Sequence, residues 1–336
     1  MTKRIILYLA LAVMVLAGCK GKNKEKVLPT ISGKAGEVAV VCSKVEWESE
    51  PGSTIRALLA AEVPYLPQVE PMYDLFNVPQ QAFNKVFQVH RNIIIINTDK
   101  KIEKPRFVTW SDVWASPQLV IQIDAPDAQR AAEIVAKQGN KILALLERTE
   151  RNRIISNINS FENAELRKPV NDMFGGSPCF PKGFTIKKTA DNFMWISYEP
   201  AYTIQGILIW KYPYTGEADF TDEALAAKRN EITKEQIPCT TEGSYMILNP
   251  DIFPGYRTLD YKGRSIAELR GLWEAYNDFM GGPFVSHSFL TPDNQYVITL
   301  DGFVYAPRYD KRNYMRQVEA VLYSFDWNNI PEEEIN

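Results

Sequence analysis

Two periods of apolar residues alternate along the chain from Glu37 onward, one matching strands and one matching helices. Val38, Ala39, Val40, Val41 and Cys42 form an unbroken apolar run that reads as a buried strand. Residues 51–62 carry Ile55, Leu58 and Leu59 on one helical face, and a loop punctuated by Pro64, Pro67, Pro71 and Pro79 follows. Strands are expected at 86–90, 93–97 and 119–124. Pro126 opens a long helix with a stripe of Ala131, Ile134, Val135, Ile142, Leu145 and Leu146, which residues 148–161 continue or follow with a second helix.

The second half repeats the mixture. Strands are expected at 184–189, 193–198, 204–212, 256–261, 284–290 and 296–304, with a charged helix over 219–236 and a last helix over 310–325. Ser265 and Glu268 have capping-box spacing. Ile266, Leu269, Leu272, Trp273, Tyr276, Phe279 and Met280 then recur at helical spacing, so a helix is expected there. Met173-Phe174-Gly175-Gly176 is echoed by Phe279-Met280-Gly281-Gly282, and Thr189-Ala190-Asp191-Asn192 by Thr291-Pro292-Asp293-Asn294. Convergent turn chemistry accounts for both echoes, and two similar halves remain open. Strand runs with helices between and after them predict an α+β fold with mostly antiparallel sheets and packed helices. Its halves are expected at 37–165 and 170–328.

The start of the chain has a different pattern. Lys3 and Arg4 precede an uncharged apolar run over 5–17, too short to cross a bilayer that needs about 20 residues. Leu16-Ala17-Gly18-Cys19 then matches a bacterial lipobox. Residues 1–18 therefore read as a signal peptide, Cys19 as the lipidated residue, and 19–36 as a flexible, lysine-bearing tether. Lysine rather than an acidic stretch after Cys19 favours an outer-membrane anchor facing the periplasm, with the lipid bilayer as one partner.

Composition narrows the alternatives. Hydrophobic residues make up 45% and aromatic residues 12%, as in a packed globular protein. Loss of Lys3 and Arg4 with the leader takes the net charge from −3 to −5, which argues against nucleic acid as a partner. Cys19 aside, Cys42 reads as a buried strand residue. Cys179 and Cys239, each after a proline, are the candidate disulfide pair for an oxidising compartment.

No nucleophile elbow, zinc-protease helix, phosphate loop, dinucleotide fingerprint or calcium loop is present, so no catalytic residue, metal or cofactor is implied. Of the two histidines, His90 reads as exposed beside Arg91. A hairpin placing residue 290 opposite 296 would make Asp301 the diagonal neighbour of His287, a carboxylate-imidazole pair without a nucleophile. Trp110 and Trp114 are the candidate aromatic platform for a glycan or peptide.

The lipobox, the basic tether, Ser32-Gly33-Lys34-Ala35-Gly36-Glu37-Val38 leading into the first strand and the Phe-Met-Gly-Gly-Pro segment at 279–283 together resemble one family, the Bacteroidetes-type lipoproteins catalogued as a domain of unknown function. The resemblance implies an envelope location and supplies no site residues. The expectation is a noncatalytic binding or assembly protein with an envelope protein or glycan as partner. A hydrolase acting on envelope glycan or peptide, and a lipid or lipoprotein carrier, are the alternatives.

Overall fold

A computed structural model describes residues 27–327; Cys19 and residues 19–26 lie outside it. Strand β1 (Glu37–Val41) leads into α1 (Lys44–Glu48), where Ser43 and Glu46 form a reciprocal capping box. Then come α2 (Glu50–Leu59), β2 (Asp74–Val78), α3 (Lys85–Gln88), β3 (Asn92–Thr98), β4 (Arg106–Ser111), β5 (Leu119–Ala125) and α4 (Ala128–Ser160). The sheet order is β2-β1-β3-β5-β4, with only β4 antiparallel to its neighbour. Helices α2 and α4 cover one face through Val38, Val40, Ile55, Leu59, Ile94, Ile121, Val135 and Ile142. Phe76, Phe83, Phe87 and Trp114 cover the other, over Ala39, Val41, Ile93 and Val120. Burial on both faces explains the unbroken apolar runs.

Three local expectations change here. Residues 85–88 form a helical turn capped by the Asn84 side chain, not a strand. β2 lies in the proline-rich segment that read as loop. His90 is buried rather than exposed, edge-on to Phe76 at 5.0 Å between ring centroids, and burial lowers its basicity.

The second half contains α5 (Arg167–Phe174), β6 (Gly176–Ser177), β7 (Thr185–Ala190), β8 (Phe193–Tyr198), β9 (Ile204–Pro213), α6 (Asp222–Gln236) and β10 (Tyr245–Leu248). It continues with β11 (Gly255–Tyr261), β12 (Arg264–Tyr276), β13 (Gly281–Leu290), β14 (Tyr296–Tyr305), α7 (Arg312–Tyr323) and β15 (Asp326–Trp327). Eight strands form an antiparallel sheet in the order β10-β12-β13-β14-β9-β8-β7, with β11 also on β12. Over both sheets the pairing is mostly antiparallel, and the class is α+β. Helix α7 covers one face over Val285, Phe289, Ile298 and Leu300. Helix α6 covers the other over Leu208, Trp210, Leu269 and Phe303.

The helix expected after Ser265 is strand β12. Its Ala267, Leu269, Trp273 and Ala275 alternate with Ile266 and Glu268 on the opposite face, and all are buried. With both faces covered, the period-2 signal fills in and leaves a residue set that also fits a helical stripe. The two Gly-Gly segments consequently differ. Gly175 ends α5 in the left-handed region, at φ 78°, whereas Gly281 opens β13 after a hairpin turn at 277–280.

Helix α4 joins the halves. At 33 residues it is about 50 Å long. Its first turns pack in the first core, while Ile154, Ile155 and Ile158 pack in the second. Residues 29–36, expected within the flexible tether, are pinned to the first half. Ser116 N–H donates to Pro29 O at 2.9 Å and Ser32 N–H to Val89 O at 2.8 Å. Among the described residues no helix is long and apolar enough to cross a membrane.

Candidate functional site

The seam between the halves opens into a cleft of about 700 Å³, a volume typical of small-molecule sites. One wall is α4, presenting Asn140, Ala144, Arg148 and Arg151 at helical spacing. The opposite wall is β11 with Tyr256 and Tyr261. Helix α7 and strand β12 contribute Arg316, Glu319, Tyr323, Glu268 and Arg270. The rim is the 63–65 segment, where Tyr65 holds φ 59°, an uncommon backbone conformation for an aromatic residue. Strained residues of this kind cluster at ligand clamps. The Tyr65 ring packs against Gly255, where an added Cβ would lie 2.7 Å from its hydroxyl.

Charge in the cleft is mostly matched internally. Arg257 donates twice to Glu268, at 2.8 and 3.0 Å, and His287 Nε2 lies 3.3 Å from the same carboxylate. Arg270 bridges Glu268 at 3.5 Å and Glu319 at 2.7 Å. Burial pushes the Glu268 carboxyl up, but His287, Arg270 and Arg257 together outweigh it and hold the group well below the usual carboxylate range. Glu147 accepts from Arg316 at 2.6 Å and from the Tyr73 hydroxyl at 2.7 Å. Arg312 pairs with Asp74 at 2.7 Å.

Arg148 and Arg151 are different. Among the described residues neither has a carboxylate within ion-pairing distance. The Arg151 guanidinium lies 3.9 Å from the Tyr323 ring centroid and 5.6 Å from that of Tyr261. Its Nε is buried and has no hydrogen-bond acceptor among the described residues. Nη1 of Arg316, also in the cleft lining, is likewise buried without an acceptor among the described residues.

The residues singled out from sequence fall mostly elsewhere. His287 borders the cleft through Glu268, its cross-strand partner. Its expected pairing with Asp301 is incorrect. The β13–β14 register sets Leu290 opposite Val297, His287 opposite Leu300 and Ser286 opposite Asp301. The slip of one position turns Asp301 to the other face, where Arg229 of α6 holds it at 2.7 Å. Trp110 lies on β4 and is 42% exposed, while Trp114 packs edge-on against Phe83 at 5.4 Å, so the two form no shared platform. Cys179 and Cys239 are unpaired thiols: Cys179 accepts from Arg167 at 3.1 Å in the second core, and Cys239 lies in the loop after α6. No group of three or more His, Cys, Asp or Glu side chains among the described residues is placed to hold a metal ion.

Sequence reasoning passed over Arg151, Glu268 and Arg270. Glu268 and Arg270 were hidden by the helical reading of β12. As a strand, that segment sets two charges at i and i+2 within an otherwise apolar stretch, the pattern of a polar site set into a core.

Residues 31–159 match the profile of a domain of unknown function (DUF8532), and residues 163–324 match that of a second (DUF4837). No curated protein matches the chain. Among solved structures, a chain from Bacteroides thetaiotaomicron VPI-5482 aligns at 10% identity with a TM-score of 0.27, covering 46% of this chain and 46% of that one. LpqN, described as involved in cell envelope biogenesis of Mycobacterium tuberculosis, aligns at 15% identity with a TM-score of 0.26, covering 44% of this chain and 78% of that one. The first alignment spans less than half of the Bacteroides chain, and neither overlap is extensive enough to transfer a function. The chain is thus similar to one domain of unknown function in its first half and to another in its second.

Proposed function

We propose that the mature chain is a lipid-anchored binding protein of the bacterial envelope, tethered through Cys19 to the periplasmic face of the outer membrane, with the seam cleft as its ligand site. The lipobox supports the anchor. The observation that carries the binding reading is the cleft itself, sized for a ligand and rimmed by a strained tyrosine, with two arginines left without carboxylate partners. Binding fits better than hydrolysis of glycan or peptide. A general acid needs a carboxyl with a raised pKa, whereas Glu268 is held ionised by its neighbours. A lipid carrier is less well supported, since so many lining residues are charged.

The test is capture from native envelopes. Full-length protein is crosslinked in membranes, purified in detergent, and its associated molecules identified, with Cys19→Ser and Ala144→Trp as variants. Ala144 is exposed on the α4 wall, so a tryptophan there fills the cleft without disturbing a core. The expected result is a specific associate that Ala144→Trp loses, and release of Cys19→Ser from the membrane fraction. An associate retained unchanged by Ala144→Trp would overturn the cleft as the site. Membrane retention of Cys19→Ser would overturn the anchor.

A further inference from the structure

We infer that the cleft selects a ligand bearing a phosphate or carboxylate on a sugar-sized ring, with Arg151, assisted by Arg148, as the oxyanion receptor. This rests on the cleft being a binding site and names what it binds. The argument starts from how the charges are matched. Glu268 takes Arg257, Arg270 and His287, Glu319 takes Arg270, and Glu147 takes Arg316. What remains on the cleft walls is Arg148 and Arg151 on one side, against Asp260, exposed on β11, on the other. The excess is positive and concentrated on one face of α4.

Arg151 is also pre-shaped for the task. Stacking on Tyr323 at 3.9 Å covers one face of the guanidinium plane and fixes its orientation. An anion must then approach along the N–H edge, where the terminal nitrogens, unlike the shielded Nε, are accessible and have no hydrogen-bond acceptor among the described residues. The two terminal nitrogens form the planar fork that engages carboxylate or phosphate with two parallel bonds. A side chain already immobilised by stacking loses little further freedom on binding. Arg148, one helical turn earlier and exposed, adds a second charge beside it. Across the cleft Tyr256, exposed on β11, and Tyr65 at the rim offer flat apolar faces of the kind that pack on a sugar ring.

The experiment is calorimetric titration of the full-length protein in detergent with glucose 6-phosphate, glucuronate, inorganic phosphate and glucose. Glucose 6-phosphate and glucuronate separate the phosphate and carboxylate sources of the same chemistry. At least one of these is expected to bind tenfold or more tightly than both glucose and inorganic phosphate, and to weaken as salt is raised. Arg151→Gln should bring that probe to within a few-fold of glucose, and Arg151→Lys should recover only part, since a point charge lacks the fork. Arg148→Gln should weaken the charged probe by a smaller factor. Unchanged thermal melts of the variants separate this from misfolding, and Arg148→Gln, at an exposed position, keeps the test open if Arg151→Gln does not fold.

Glucose binding as tightly as its charged relatives, inorganic phosphate matching both sugars, or Arg151→Gln binding like wild type would each overturn the inference. If no charged probe binds while envelope extract still yields an associate that Ala144→Trp loses, the oxyanion inference falls and the binding reading stands. If the extract also yields nothing, both fall.

Discussion

The Glu70 carboxylate accepts the backbone N–H of Lys311 at 2.6 Å, although the two residues are 241 positions apart. Its second oxygen accepts the Arg312 N–H at 2.9 Å. Lys311 is the residue before α7 and has no side-chain cap hydrogen bond of its own, so the first turn of this helix is capped from the other half of the molecule. A buried carboxylate at a helix N-terminus satisfies free N–H groups and complements the helix dipole. Glu70→Ala should therefore cost about 2 kcal/mol, read as a lower urea midpoint. The loss should register in both halves, since Arg312 and Arg316 of α7 also donate to Pro71 O and Met72 O. Independent unfolding of the second half in this variant, with the first unaffected, would contradict the role of the α7 N-terminus as a link between the halves.

How much of this was legible beforehand follows from where the partners lie in sequence. The long helix announced itself because Ala131, Val135, Ile142 and Leu146 share one face, and Asp127 caps it locally by accepting from Arg130 at 2.8 Å. The β7–β8 and β13–β14 hairpins were legible because Asn192 and Asn294 adopt left-handed turns that asparagine tolerates. The cleft was not. It depends on α4, β11, β12 and α7 meeting, and nothing in the local pattern near Arg151 anticipates Tyr323 beneath it. The His287–Asp301 pairing failed because a strand face is decided by a single residue of register, and turn composition does not fix the loop length that closely.

The Glu268 network predicts an acid-sensitive contribution to stability. A glutamate carboxyl ordinarily titrates near 4.5, and the partners of Glu268 lower it in the folded protein. A lowered folded value means that the contribution is complete above the unfolded pKa and is lost as pH falls through the folded one. Glu268→Gln should thus destabilise the protein by about 3 kcal/mol at pH 7, the lower end for a broken buried ion pair because Arg257 can rehydrate. That difference should shrink as pH drops below 4.5. Denaturant midpoints at pH 7 and pH 3.5 for both proteins measure it, and a gap that widens in acid would contradict the assignment.

The paired glycines should separate by substitution. At Gly282 an added Cβ would lie 2.1 Å from the Val304 carbonyl oxygen, and at Gly176 it would lie 2.5 Å from the Phe325 ring. Gly175 has open space but φ 78°. Gly175→Ala should cost about 1 kcal/mol from backbone conformation alone. Gly282→Ala should cost about 3 kcal/mol or more, because a strand backbone must move. Thermal melts rank the two. Equal losses would mean that the second glycine of the 279–283 segment is there for conformation rather than close approach.

Thiol chemistry offers a count that reports on both ends of the chain. The sequence has four cysteines, and Cys42, Cys179 and Cys239 are all unpaired. Burial pushes the Cys42 thiol up to about 12 and the Cys239 thiol up to about 11, and raises that of Cys179 as well. Thiolate is the reactive form, so at pH 7 the folded protein should react slowly with an aromatic disulfide reagent, beginning with the half-exposed Cys239. In denaturant without reductant, three thiols should titrate if Cys19 is a thioether to lipid, and four if it is not. A single thiol would mean that two of the three had closed a bond, contradicting the placement of Cys42 in the first half and of Cys179 and Cys239 as free thiols in the second. Cys19→Ser protein should also give three, so mass distinguishes the two cases: under the proposed anchor, only wild type should carry added acyl chains.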